Sequence, residues 1–133
     1  MTANVIAINP SLSLLEAQNL FRKHKIRHLP VVKDEKLIGI LSLTDLQRVS
    51  FASISGDGEL SSDSALIEML NVEHIMRKEP TSVSDNQTIA DVAEILAEEE
   101  FHALPVTQSG TNKLVGIVTT TDLIRYMLKK EYA

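Results

Sequence analysis

Apolar and polar positions follow one succession twice along the chain. A short strand is predicted over residues 5–8 and again over 81–84. Each is followed by a helix whose apolar positions, Leu14, Ala17, Leu20 and Phe21, then Ile89, Val92, Ala93 and Leu96, repeat at the spacing of one buried face. Ser13 with Glu16, and Thr88 with Asp91, stand where a hydroxyl and an acid reciprocally cap a helix start. Two apolar, largely β-branched runs come next, residues 29–32 with 37–41 and 104–107 with 114–118; they predict strands buried on both sides. A second helix starts near Ser42 and near Thr119. The pattern predicts two β-α-β-β-α units of mixed α/β (α+β) class.

The likeness extends to residue identity. Leu29-Pro30-Val31 recurs as Leu104-Pro105-Val106, 75 positions on. Lys36-Leu37, Gly39-Ile40, Thr44-Asp45-Leu46 and Arg48 recur 77 positions on, as Lys113-Leu114, Gly116-Ile117, Thr121-Asp122-Leu123 and Arg125. The two-residue difference falls between strands, at Lys33-Asp34-Glu35 against Gln108-Ser109-Gly110-Thr111-Asn112, where hairpin loops of unequal length absorb it. A unit of this size cannot cover both faces of its own sheet. The expected solution is two copies packed sheet to sheet about a pseudo-two-fold axis. Residues 1–50 form the first unit and 72–133 the second, with a Ser-, Gly- and Asp-rich exposed connector over 51–71, in which 64–70 suit a short helix.

Composition narrows the function. With 133 residues, 44% hydrophobic and 23% charged, the chain has the balance of a folded globular protein. It has no cysteine, which removes thiolate nucleophiles, thiolate metal sites and disulfides. No apolar run approaches the roughly 20 residues that span a bilayer, and no signal-like start is seen, so the expectation is a soluble, cytoplasmic protein without membrane contact. A formal net charge of −5 argues against nucleic acid as a partner.

Chemistry concentrates in Gly39-Ile40-Leu41-Ser42-Leu43-Thr44-Asp45 and Gly116-Ile117-Val118-Thr119-Thr120-Thr121-Asp122. Each is a strand end turning into a helix start, and Ser42 with Asp45, like Thr119 with Asp122, fits a helix-capping box. The same geometry suits a ligand. A helix N-terminus attracts phosphate, hydroxyls at Ser42, Thr44, Thr119 and Thr121 add donors, and an Asp accepts two hydrogen bonds from a ribose diol. One residue can cap and bind, so both readings stand.

The duplicated order of helix, Leu-Pro-Val strand, turn, Gly-h-h-[Ser/Thr]-x-[Ser/Thr]-Asp (h apolar) and helix resembles the cystathionine-β-synthase (CBS) domain, present twice, and Val72-Glu73-His74-Ile75-Met76 resembles that family's lead-in. The resemblance implies a packed pair, often dimerising into a disc, with adenosine-type ligands such as AMP, ADP, ATP or S-adenosylmethionine in the inter-domain cleft, and no cofactor. It implies that Asp45 and Asp122 hold ribose hydroxyls and that Ser42, Thr44, Thr119 and Thr121 meet ribose or phosphate. Ile6, Thr81, Arg27, His28, Phe101, His102 and Ala103 would line the base and phosphate pocket. Arg27-His28 is more cationic than His102-Ala103, so the two sites should be unequal.

Other candidates are weaker. His24 and His28 are four apart, but the first helix is expected to end near Lys25 and no third metal ligand is close in sequence. Glu98-Glu99-Glu100 reads as a solvated helix end, and no nucleophile elbow, Walker or dinucleotide-binding loop occurs. Leu123, Ile124, Met127 and Leu128 lie on the last helix, where core packing and an oligomer interface both remain open. The expected function is therefore regulatory rather than enzymatic: a homodimeric module that senses an adenosine ligand and signals to a protein partner. The alternative is a structural dimerisation module with no ligand.

Overall fold

In the computed structural model, described here for residues 5–55, 69–98 and 102–132, the chain is mixed α+β, with two separate three-stranded sheets. The elements, in order, are α1 (Leu14–His24), β1 (His28–Lys33), β2 (Lys36–Ser42), α2 (Leu43–Ser55), α3 (Val72–Ile75), β3 (Arg77–Lys78), β4 (Val83–Ser84), α4 (Ile89–Glu98), β5 (Ala103–Thr107), β6 (Leu114–Thr119) and α5 (Thr120–Tyr132). The expected order of helix, two strands and helix is present in both copies. Two boundaries differ from expectation. Residues 51–55, read in sequence as connector, continue α2 as helix, while 56–68 lie outside the described residues. The strand expected over 5–8 is reduced to one parallel bridge, Ile8 to Val31, with Ile8 N–H donating to Pro30 O at 3.0 Å and Val32 N–H to Ile8 O at 2.8 Å.

Two cores organise two compact units. The first is built from residues 6–34 and 38–79. Its centre is Leu14, Ala17 and Phe21 of α1 packed on Leu29 and Val31 of β1, with Leu41, Leu46 and Val72. Leu14, Leu29 and Leu41 are fully buried, each contributing about 1.5–3 kcal/mol by leaving water. Ser13 caps α1 by accepting from Glu16 N–H at 3.1 Å, and Lys25, in the left-handed region at φ 53°, ends it. A two-residue turn at Asp34 and Glu35, with φ of 53° and 68°, joins β1 to β2, the positive-φ pair that matches strand twist in tight hairpins.

The second unit runs from residue 80 onward and takes in residues 35–37. Its core joins Val92 and Leu96 of α4 to Val83, Leu104, Val106 and Val118. In this sheet β4 runs parallel to β5, and β5 antiparallel to β6, with a register shift between Val106 and Thr107. α4 starts with a complete capping box: Asp91 N–H donates to Thr88 Oγ1 at 3.1 Å, and Thr88 N–H to Asp91 Oδ2 at 3.2 Å.

Burial on both sides holds for β5, buried throughout, and for the middle of β1. β2 and the end of β6 instead alternate, as strands covered on one face do. Place in the sheet does not set the difference, since β2 lies between β1 and β3 just as β5 lies between β4 and β6.

Packing crosses the sequence repeat in two places. The lead-in at 72–79, which the repeat assigns to the second copy, packs with the first unit. Val72 is fully buried in the first core, and its N–H donates to Leu12 O at 2.8 Å. β3 then extends the first sheet antiparallel to β2, pairing Arg77 with Ile40 and Lys78 with Gly39. Conversely, the hairpin tip of the first copy packs with the second unit. Lys36 bridges Lys113, Leu37 N–H donates to Asn112 O and Leu114 N–H to Glu35 O, both at 3.1 Å, and Asn112 Nδ2 donates to Leu37 O at 2.9 Å.

Gly39 is the point of closest approach in the first sheet. A Cβ there would lie 2.6 Å from Met76 Sδ and 3.0 Å from the Arg77 carbonyl oxygen. The sulfur can swing aside; the carbonyl moves only with β3. Gly39→Ala should therefore destabilise the protein by about 1–3 kcal/mol, the usual cost of overpacking, measured by urea denaturation; unchanged stability would show that β3 is not held against β2.

Candidate functional site

The two Gly-to-Asp segments are built alike at the backbone. β2 runs into α2 and β6 into α5 with no intervening loop. A helix that starts this way has leading N–H groups that its own turns cannot satisfy. The first is tied to the residue that opens the preceding hairpin: Leu43 N–H donates to Arg27 O at 2.8 Å, and Thr120 N–H to His102 O at 3.0 Å. The third is taken by the capping hydroxyl: Asp45 N–H donates to Ser42 Oγ at 3.0 Å, and Asp122 N–H to Thr119 Oγ1 at 3.1 Å. The second, on Thr44 or Thr121, has no acceptor among the described residues, and both threonines are exposed. Each helix therefore begins with an N–H group and a hydroxyl open to a ligand at its positive end.

The carboxylates behave differently. Asp122 completes the predicted capping box, its Oδ2 accepting from Thr119 N–H at 2.9 Å. Asp45 does not return to Ser42; only the hydroxyl half of that box forms. Its Oδ1 lies 3.4 Å from Arg48 Nη1 and its Oδ2 3.4 Å from Arg77 Nε. Arg77 is close enough to balance the charge but is not aligned as a hydrogen bond, so the buried Oδ2 has no hydrogen-bond partner among the described residues. The Asp45 side chain is 15% exposed, against 61% for Arg77 and 71% for Arg48.

The predicted residues divide cleanly between the units. Ile6, Arg27, His28, Ser42, Thr44 and Asp45 belong to the first, and Thr81, His102, Ala103, Thr119, Thr121 and Asp122 to the second; Phe101 lies outside the described residues. Within the second unit, Ala103 and Thr119 are paired across β5 and β6, and the His102 carbonyl holds the start of α5. Ile6 is half-buried against the first core, and Arg27 is exposed with its carbonyl on α2. Thr81 is exposed, two residues before β4. His24 ends α1 while His28 opens β1, so the two do not share a helix face. Among the described residues, no group of three or more His, Asp or Glu could hold a metal ion.

Sequence reasoning missed Arg77 and gave Arg48 no role. Arg48 carried a signal, being three residues after Asp45 and thus on its helix face. Arg77 is 32 positions from Asp45, and only the pairing of β3 with β2 brings it there.

Comparison with known proteins gives this site a context. In solved structures, the chain resembles CBSX2 of Arabidopsis thaliana in complex with AMP, at 30% identity and TM-score 0.80, covering 96% of this chain and 90% of that one. It also resembles the CBS domain pair of protein MJ0100 in complex with 5'-methylthioadenosine and S-adenosyl-L-methionine, at 25% identity and TM-score 0.73, covering 95% and 93%. The inosine-5'-monophosphate dehydrogenase of Korarchaeum cryptofilum is 34% identical over 120 residues, 90% of this chain. Only 22% of that dehydrogenase is matched, and the chain spans well under two thirds of several curated relatives. The CBS domain family model matches residues 1–51 and 72–129. With both copies matched, and with the helix-start geometry repeated in each, the chain belongs to the CBS domain family.

Proposed function

We propose that this protein is a regulatory module that binds an adenosine-containing ligand at the Ser42–Asp45 and Thr119–Asp122 helix starts and transmits its occupancy to a partner. The observation that carries the reading is the conjunction at each helix start of an acid, a capping hydroxyl and an N–H without an acceptor among the described residues. A carboxylate suits a ribose diol, and the open N–H at the positive end of the helix suits a phosphate. Binding of AMP by CBSX2, and of 5'-methylthioadenosine and S-adenosyl-L-methionine by MJ0100, supports the choice of ligand class. Ile6, Arg27, His28, Thr81, Phe101, His102 and Ala103 would complete the base and phosphate contacts. Occupancy would reach a partner only through a difference in affinity between two states of the module. The cytoplasm is the proposed setting.

Self-association is the second part of the reading. Leu123 is packed into the second core, but Ile124, Met127 and Leu128 of α5 are 48%, 57% and 53% exposed. Spaced at three and four residues, they form one apolar stripe on the helix. A second copy of this chain is the proposed occupant, giving a homodimer; with no ligand bound at all, this stripe would support a purely structural dimerisation role.

Two measurements test these statements. AMP, ADP, ATP, S-adenosylmethionine and NADH are compared by thermal shift. A true ligand at about 100 times its Kd should add about 2.7 kcal/mol, roughly 10 °C in Tm, and no shift with any of them would leave the structural role. Asp45→Ala and Asp122→Ala should each weaken binding at their own helix start. Asp122→Ala should also cost about 1 kcal/mol of ligand-free stability through the lost return bond of its capping box. Separately, Met127→Glu combined with Leu128→Lys should shift a dimer to monomer in light scattering with little change in Tm; an unchanged mass would remove α5 from the interface.

A further inference from the structure

The two helix starts share one motif but hold their acids in opposite ways, and the difference has a chemical consequence. Asp122 is turned into its own helix, with Oδ2 on the Thr119 N–H at 2.9 Å. Arg125, in the repeat position of Arg48, makes no ion pair with it among the described residues. Asp45 is turned away from its helix cap toward Arg48 and Arg77. Its Oδ2 is buried without a hydrogen-bond partner among the described residues, and the Arg77 Nε that balances its charge lies 3.4 Å away. A hydroxyl donor bringing a hydrogen bond to Oδ2 competes with Arg77 for that oxygen. Displacing Arg77 is feasible, because its side chain is largely exposed and solvent screens its ion pair. Once released, the Arg77 guanidinium remains beside the start of α2, since β3 pairs its backbone to Ile40, within the segment that leads to Asp45. The open Thr44 N–H and the positive end of a 13-residue helix lie at the same end of β2. All three favour an anion.

We infer that Arg77 is a selectivity residue of the first helix start: it admits ligands that carry both a diol for Asp45 and an anionic group for the displaced guanidinium, and disfavours neutral or cationic ones. The inference rests on the adenosine-ligand reading above. A phosphorylated nucleoside recovers the lost ion pair through its phosphate. A neutral nucleoside loses it, and a ligand with a positive sulfonium meets the guanidinium as a like charge. The second helix start, whose acid is tied to its own cap, lacks this discrimination.

AMP and adenosine are the probes, measured by isothermal titration in the Asp122→Ala background so that the first helix start is read alone. With Arg77 present, AMP should bind at least about tenfold more tightly than adenosine. Arg77→Gln should weaken AMP and strengthen adenosine, bringing the ratio close to one, and Arg77→Lys, which keeps the charge, should hold an intermediate ratio. Thermal denaturation confirms that each variant is folded. If AMP binds and its ratio to adenosine is the same in Arg77→Gln, the selectivity role is wrong and the binding reading survives. If neither probe binds the otherwise wild-type protein, both are wrong.

Discussion

The rest of the structure depends on how a strand can run straight into a helix. With no loop between β2 and α2, or between β6 and α5, the leading amides of each helix must find acceptors immediately. Both copies use the same two: a carbonyl from the residue that opens the preceding hairpin and a hydroxyl at the last strand position. The carbonyl ties the hairpin to the helix, so strand pairing and helix start are one cooperative arrangement. Only one amide remains, and it remains at the same position in both copies. The same amide is open among the described residues at the starts of α1 and α4, on Leu15 and Ala90; α2 and α5 differ in placing a threonine, Thr44 or Thr121, at that position.

The acid three residues on is the variable part. A carboxylate at this position can complete its own cap or serve a group elsewhere, and neighbouring charge decides which. Where two arginines approach, as at Asp45, the carboxylate turns toward them. Without them, as at Asp122, the strand-end amide claims it. The close contact at Gly39 matters here at a distance: it lets β3 lie against β2 and so sets Arg77 beside Asp45. A missing side chain in one strand thereby fixes the electrostatic surroundings of an acid six residues later.

Much of this was legible in the sequence because it is local. Duplicate offsets, apolar periodicity and the Ser/Thr-x-x-Asp spacing identified the duplicated elements, the helix starts and the two acids. The capping box at Asp122 followed from spacing alone. The half-formed box at Asp45 did not, because its competitor reaches it only through strand pairing. The end of α2 was hidden for another reason: Phe51, Ala52, Ser53, Ile54 and Ser55 mix apolar and small polar residues, and composition made them resemble the Gly-rich stretch that follows. Continuous apolar runs likewise suggested strands covered on both faces, which proved true of β5 and the middle of β1 but not of β2.

The exchange of segments across the repeat also defines what is indivisible in this protein. The first copy takes its third strand from residues that the repeat gives to the second, and lends the tip of its own hairpin in return. A fragment cut at the repeat boundary would expose one edge of β2 and leave Glu35, Lys36 and Leu37 without their backbone partners. Such bare edges recruit other chains. The excised half would thus pass into swapped or aggregated species instead of persisting as a soluble single domain, and recombination of these modules would succeed only by moving both copies as one cassette.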